Sequence, residues 1–346
     1  MTDNKPIPFS RGVNFSKWFE TRAIQDIVFE NFVEQDFVDL KSLGADVIRL
    51  PVAMHNYTLG ENDHTLDPKL IKYLDIAVDW AEKHQIYIIL DNHSFHPINP
   101  TDPNIDKILI PVWEQIARHF KDRSCYVIYE VLNEPHKIPD ERWGEIQGAT
   151  IDAIRRIDNK HTIIVGGTEY NSIAKLENIP SYPDKNLIYT FHFYDPHIFT
   201  HQGATWNSPS LAPLSGLSFP YDKDKVPEPH ETFIGTWVEE CLKNYENDAK
   251  PENLRATLDK ALVFAKERGV PVFCGEFGVF NIQCSPEDRV KWYKFVCDEL
   301  NKREISWTSW DYFGGFGLFN TERTQFRGDF KTDLNIELVK AMGFTS

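Results

Sequence analysis

Eight short runs rich in β-branched and aromatic residues recur along the chain, and between them lie longer stretches whose apolar residues repeat at helical spacing. The runs are GVNFS (12–16), DVIRLPV (46–52), IYIILDNH (86–93), YVIYEVLN (126–133), HTIIVGG (161–167), LIYTFHFY (187–194), VPVFCGEFG (270–278) and EISWTSWDYF (304–313). Strands that alternate with helices make a parallel sheet, because a chain returns to a parallel neighbour only through a crossover. The helical stretches carry their own start signals. Asp67 and Pro68 supply an N-cap and a first-turn proline for 67–84, and Ser285 and Pro286 do the same for 285–303. No linker or shift of composition divides the 346 residues, so the pattern predicts a single (β/α)8 TIM barrel over 1–346 rather than two doubly wound domains. One segment, about 195–249, is too long for an ordinary connection and is expected to lie near the substrate cleft.

A barrel of this kind gathers the carboxyl ends of its strands on one face, where sites are built. Seven of the eight runs finish in polar or aromatic groups: Asn14, Arg49, His93, Asn133 with Glu134, His192 with Tyr194, Glu276, and Trp310 with Asp311. These residues, distant in sequence, are expected to line one pocket, with Asn14 and Asp311 among the substrate contacts. Glu134 and Glu276 are the strongest carboxylate pair, and two carboxyl groups across a pocket are what glycosidic bond cleavage requires. Arg49 would hold a neighbouring carboxylate ionised, Tyr194 would donate a hydrogen bond to it, and Asn133 would bond a sugar hydroxyl. Strict alternation sends Asn133 and Glu134 to opposite faces, so the fourth strand is expected to bulge or twist at its end, where Pro135 stops the ladder. Glu130 is read as a buried structural partner, and Cys274 as a core thiol on the strand face of Glu276. Asp91 and Asp195 flank the site histidines, and either orient them or cap loops.

Taken in order, RGVNFSKWFE, IRLP, DNH, LNEPH, HFYDP, FTHQGATW, GEFG and SWDYF resemble glycoside hydrolase family 5, over almost the whole chain. The resemblance implies a retaining mechanism with Glu134 as general acid/base and Glu276 as nucleophile, supported by Arg49, His93, Asn133, His192, Tyr194 and Trp310. It implies an enzyme most like bacterial endo-β-1,4-glucanases, with His201 and Trp206 as substrate contacts, and works without metal or organic cofactor. Many bacterial members carry a second histidine and an asparagine where this chain has Ser94 and Lys17. Glu20 and His96 are the residues placed to take over those contacts. Exo-acting, β-glucosidase-like, mannanase and xyloglucanase variants of the same family are the alternatives.

Composition narrows the partners. A formal net charge of -15 repels polyphosphate and anionic membranes, so the expected partner is a neutral β-glucan polysaccharide or oligosaccharide, with no nucleic acid and no membrane. The 5 cysteines are odd in number and without CxxC pairs, which argues against a disulfide framework or a zinc site. His93, His96, His192, His197 and His201 raise a metal-dependent barrel as a rival, disfavoured because the first run ends in Asn14 and Phe15. A non-catalytic sugar-binding barrel has no reason to keep both glutamates, Asn133, Arg49 and Tyr194. No GxGxxG, Walker loop or GxSxG elbow is present. The N-terminal residues lack a signal-peptide pattern, so the expectation is a chain that stays in the cell or one whose leader was removed.

Overall fold

The computed structural model describes residues 5–60, 63–93, 99–320 and 326–345. The eight expected strands form as β1 (Arg11–Asn14), β2 (Val47–Val52), β3 (Tyr87–Asn92), β4 (Val127–Glu130), β5 (Thr162–Gly166), β6 (Leu187–Phe193), β7 (Val272–Phe277) and β8 (Ser306–Ser309). They close into one parallel barrel in the order β1-β8-β7-β6-β5-β4-β3-β2. Around it run α1 (Glu34–Ser42), α2 (Pro68–His84), α3 (Asp106–Phe120), α4 (Asp140–Arg155), α5 (Trp237–Asp248), α6 (Pro251–Arg268), α7 (Pro286–Lys302) and α8 (Ile336–Ala341). After β5 the chain makes only a four-residue turn, Thr168–Asn171, and a short 3₁₀ segment, Ile173–Asn178, whereas the connection after β6 holds both α5 and α6. The 195–249 excursion is therefore partly helical rather than a plain loop.

Both anticipated helix starts are present. The Asp67 carboxylate accepts from the Lys69 N–H at 2.7 Å ahead of α2, and the Ser285 hydroxyl accepts from the Asp288 N–H at 3.2 Å ahead of α7. The stripe Leu70, Leu74, Ala77, Val78 and Ala81 buries α2 against the barrel wall. Inside the barrel, side chains stack in layers because every second residue of a strand points inward. Phe9, Val47, Ile89, Ile128, Ile164, Ile188 and Phe273 make an apolar floor. Two residues further along the same strands stand Arg49, Asp91, Glu130, Gly166, Thr190 and Gly275, so the layer above the floor is charged or small.

Two backbone details refine the expectation. The regular part of β4 ends at Glu130, the Val131 and Asn133 N–H groups still donate to the Ile164 and Asn92 carbonyls at 3.1 and 3.0 Å, and Glu134 then turns into the pocket through a left-handed φ of 46°. A bulge occurs where β7 meets β6: Phe191 pairs with Cys274 and His192 with Glu276, leaving Gly275 as the extra residue. That insertion breaks the alternation, so Cys274 faces the outer core while Glu276 faces the pocket, and the two do not share a strand face.

Barrel closure between β1 and β2 leaves no room for a side chain at Gly12, where a Cβ would stand 1.7 Å from the Val47 carbonyl oxygen. Gly12→Ala is expected to cost at least about 3 kcal/mol, since the obstacle is backbone rather than a movable side chain. Urea denaturation measures this, and a midpoint matching the parent's would refute it.

Candidate active site

Arg49 sits fully buried in the charged layer, and all five of its N–H donors are matched. Nε and Nη2 donate to the two oxygens of Glu130, each at 2.8 Å. Nη1 donates to Asn14 Oδ1 at 2.9 Å and to Glu276 Oε1 at 2.7 Å, and Nη2 to Asn133 Oδ1 at 2.8 Å. Asp91 Oδ2 lies 3.0 Å from Nη2. One guanidinium thereby fixes residues from β1, β3, β4, the loop after β4, and β7. Burial works against its charge, but Asp91, Glu130 and Glu276 outweigh that and hold it protonated.

Glu276 accepts from Arg49 on one oxygen and from the Tyr194 hydroxyl on the other, at 2.9 Å. Burial pushes the Tyr194 phenol well up, which keeps it a donor. Glu134 has no such cation in contact: its Oε1 lies 2.6 Å from His192 Nδ1. Burial raises Glu134 to about 7, against the weaker pull of His93, Arg49 and His136. One oxygen of Glu134, one of Glu276 and one ring nitrogen of His192 lie within 4.8 Å of one another. Burial also lowers His192 to about 4, so its ring is neutral at neutral pH. The Asn171 amide nitrogen stands 3.4 Å from His192 Nε2, which makes that nitrogen the acceptor and leaves the ring proton on Nδ1, facing Glu134.

On the other side of the pair, Asp91 Oδ2 holds His93 Nδ1 at 2.6 Å, so Asp91 orients that histidine rather than capping a loop. Burial opposes charge on His93, but Asp91, Glu20 and Glu276 outweigh it and raise it to about 9. Its ring stacks on Trp310, with centroids 5.5 Å apart and planes at 14°. Glu20 accepts from the Lys17 N–H and lies 3.7 Å from His93 Nε2. Asp311 accepts from the Ser16 hydroxyl, and burial lifts it to about 7 despite that bond.

These groups open into a cleft of about 1460 Å³ lined by Glu134, Glu276, His93, His192, Tyr194 and Trp310, and, farther out, by Glu20, His201, Trp206 and Asp311. Asn14 does not reach it: fully buried, it donates to the Gly275 and Ser309 carbonyls and accepts from Arg49, so it supports the site from beneath instead of touching substrate. His96 falls outside the described residues. Asp195 offers its carbonyl to Trp292 Nε1 at 3.0 Å. Glu130 is the buried structural partner anticipated for it, four residues before Glu134 and nearer the barrel floor. Asn171 had no such signal, because it closes three consecutive left-handed residues, Glu169, Tyr170 and Asn171, that no sequence periodicity announces. Gly315 and Phe316 of the turn GGFGLF (314–319), which follows the eighth strand, form part of the cleft wall.

Comparisons with known proteins bear on the family and the fold. The model of the cellulase family, glycosyl hydrolase family 5, matches residues 10–314. Endoglucanase 3 of Fibrobacter succinogenes is 31% identical over 337 residues, which cover 89% of this chain but only 50% of that protein, so the chain spans about half its length. Endoglucanase C of Acetivibrio thermocellus is 27% identical over 334 residues, covering 92% of this chain and 95% of the relative. Endoglucanase Cel5A of Thermotoga maritima superposes with a TM-score of 0.78 at 26% identity, over 96% of both chains. A structure of that Cel5A in complex with mannotriose superposes at 0.77, with 25% identity, over 96% of this chain and 97% of that one. With a family match over most of its length, on a barrel of the same form, the chain belongs to glycosyl hydrolase family 5, the cellulase family.

Proposed function

We propose that this protein is an endo-acting β-1,4-glucanase that cleaves internal bonds of β-glucans with retention, by double displacement between Glu276 and Glu134. The observation that carries the reading is the approach of the two carboxyl groups to within 4.8 Å, in surroundings of opposite character. Retaining enzymes place their carboxyl groups about 5 to 5.5 Å apart, and inverting ones leave room for a water between them. In the first step a Glu276 oxygen attacks the anomeric carbon, the glycosidic C–O bond breaks, and Glu134 gives its proton to the leaving oxygen. In the second, Glu134 takes a proton from water as that water attacks the same carbon and releases Glu276. Arg49 and Tyr194 orient the nucleophile, and both donate to its carboxylate. His192 donates to Oε1 of Glu134, which leaves Oε2 to carry the transferable proton. Asn133, its carbonyl oxygen fixed by Arg49 and its amide nitrogen 3.3 Å from His93 Nε2, offers its second amide hydrogen to the sugar's 2-hydroxyl, and Trp310 offers a face to the sugar ring next to the bond. The excursion 195–249 belongs to this catalytic unit, since Trp206 and Trp237 from it line the cleft.

Endo action on glucan is supported by the names of the relatives and by a cleft larger than the roughly 300 to 1,000 Å³ typical of small-molecule pockets. Mannan is the second reading, favoured by the mannotriose complex of Thermotoga maritima Cel5A. Product sizing on barley glucan, carboxymethyl cellulose, xyloglucan and mannan separates these; release of single sugars alone would point to exo action and sink the endo assignment.

Glu276→Gln is expected to reduce turnover by roughly 10³-fold or more with the fold intact, because nothing else in contact with the anomeric carbon can replace the nucleophile. Near-parental activity in a folded variant would remove Glu276 from that role. The pH dependence follows from Glu134. Its protonated form is the acid and exists below about 7, so kcat/KM should fall about tenfold per pH unit above that value. A profile flat to pH 9 contradicts the assignment. Asn171→Asp should draw the ring proton of His192 to Nε2 and favour an imidazolium beside Glu134, moving that basic limb down by about one unit. An unmoved limb in this variant would show that Asn171 does not act through His192.

A further inference from the structure

Among the described phenylalanines, tyrosines and tryptophans the three most exposed are Tyr170, Trp206 and Trp237, at 37%, 39% and 39%, and all three line the same cleft. Exposed rings scattered over a surface need no explanation, but rings gathered in one groove mark a binding surface. Trp237 stands apart from the catalytic groups, at the start of α5 in the long excursion. Its place is fixed rather than incidental. The Thr236 hydroxyl caps the helix by accepting from the Val238 N–H at 3.3 Å, and the indole Nε1–H donates to the Ser208 carbonyl at 2.9 Å. With its one polar atom satisfied from the protein side, the indole keeps an apolar surface open to the cleft.

A row of rings connects Trp237 to the proposed nucleophile. Tyr194, whose hydroxyl holds Glu276, meets the His201 ring at 5.0 Å; His201 stacks on His197 at 4.0 Å and 23°; and His197 meets Trp237 at 5.8 Å. Burial lowers His197 to about 4 and His201 well below its ordinary value, so the row is uncharged at neutral pH and suited to a neutral ligand. Asn207, which donates to His197 Nε2 at 3.0 Å, lines the cleft together with Ser208, Thr257 and Lys260. Apolar ring faces bordered by short polar groups match the two sides of a pyranose, whose C–H faces are apolar and whose rim carries hydroxyls.

We infer that Trp237 is the platform of an outer sugar subsite, stacking a pyranose of a β-linked glycan chain that extends from the catalytic pair along this row. The inference rests on the glycanase reading of the pair and adds a binding position to it. A substrate too short to reach the platform gains nothing from Trp237, whereas a long chain does.

The test compares cellohexaose with an aryl β-cellobioside. In Trp237→Ala the ratio of kcat/KM on the hexasaccharide to that on the aryl glycoside should fall about tenfold, the size of losing one aromatic stacking partner, and chiefly through KM. Trp237→Tyr should restore most of the ratio. Calorimetry of cellohexaose on Glu276→Gln, with and without Trp237→Ala, should show the same loss in affinity. An unchanged ratio, an equal fall on both substrates, or a Tyr variant as poor as Ala overturns the subsite. If the parent protein cleaves neither substrate, the glycanase reading fails instead, and calorimetry of cellohexaose on the parent and on Trp237→Ala decides the subsite by itself.

Discussion

Arg49 is the interaction on which the rest of the site depends. A buried guanidinium is tolerable only when its charge is compensated and its donors are used, and here three carboxylates surround it while five hydrogen bonds exhaust its N–H groups. Because the partners come from strands on different sides of the barrel, the same contacts that neutralise Arg49 also set the positions of Glu276 and Asn133. An apolar layer at this height would pack as well and would leave both residues free to choose rotamers. The position of the charged layer, directly above the apolar floor of Val47, Ile89 and Ile128, keeps water from competing with the guanidinium from below.

Three carboxyl groups share one guanidinium, and burial raises Glu130 even against the pull of Arg49. His93, raised to about 9 by Asp91, Glu20 and Glu276 despite its burial, brings a second positive charge to the layer. Glu134 stands at the edge of this cluster with a neutral histidine for its contact, and burial lifts it to about 7. The difference between the two glutamates is thus one of partners. Glu276 touches a permanent cation and a phenol, whereas Glu134 touches an imidazole that burial keeps uncharged.

Much of this was legible in the sequence, and the parts that were share a reason. The barrel, the polar strand ends and the helix caps follow from period-two and helical patterns and from residue types with one strong local preference, such as Asp67 before Pro68. Glu130 was legible as a buried partner from its place four residues before Glu134, whereas Asp91 stood open between orienting a histidine and capping a loop. What the sequence hid depends on backbone departures from those periods. Asn14 ends its strand in the pattern of a substrate contact, yet its amide is consumed by Arg49, Gly275 and Ser309, a choice made by partners remote in sequence. Asn171 and Trp237 were hidden for the same reason, one on a left-handed run and the other on a helix within an excursion that carried no strand signal.

The paired glutamates illustrate how those departures serve the chemistry. Regular alternation along β7 would have pointed Glu276 into the helices, and regular extension of β4 would have parted Asn133 from Glu134. The chain solves the two cases differently. At β7 an extra residue is inserted, and it is glycine because a Cβ there would stand 2.7 Å from Thr190 Oγ1 and 3.2 Å from His192 Nε2. At β4 the regular strand ends at Glu130, the Asn133 N–H makes a last bond to the Asn92 carbonyl, and Glu134 then adopts a left-handed φ, with Pro135 unable to extend the ladder. The space kept clear at Gly275 is bordered by Thr190 and by the ring of His192, and His192 in turn meets Glu134. The bulge that turns one glutamate inward therefore also leaves room for the group that orients the other, so the two backbone devices act on a single arrangement.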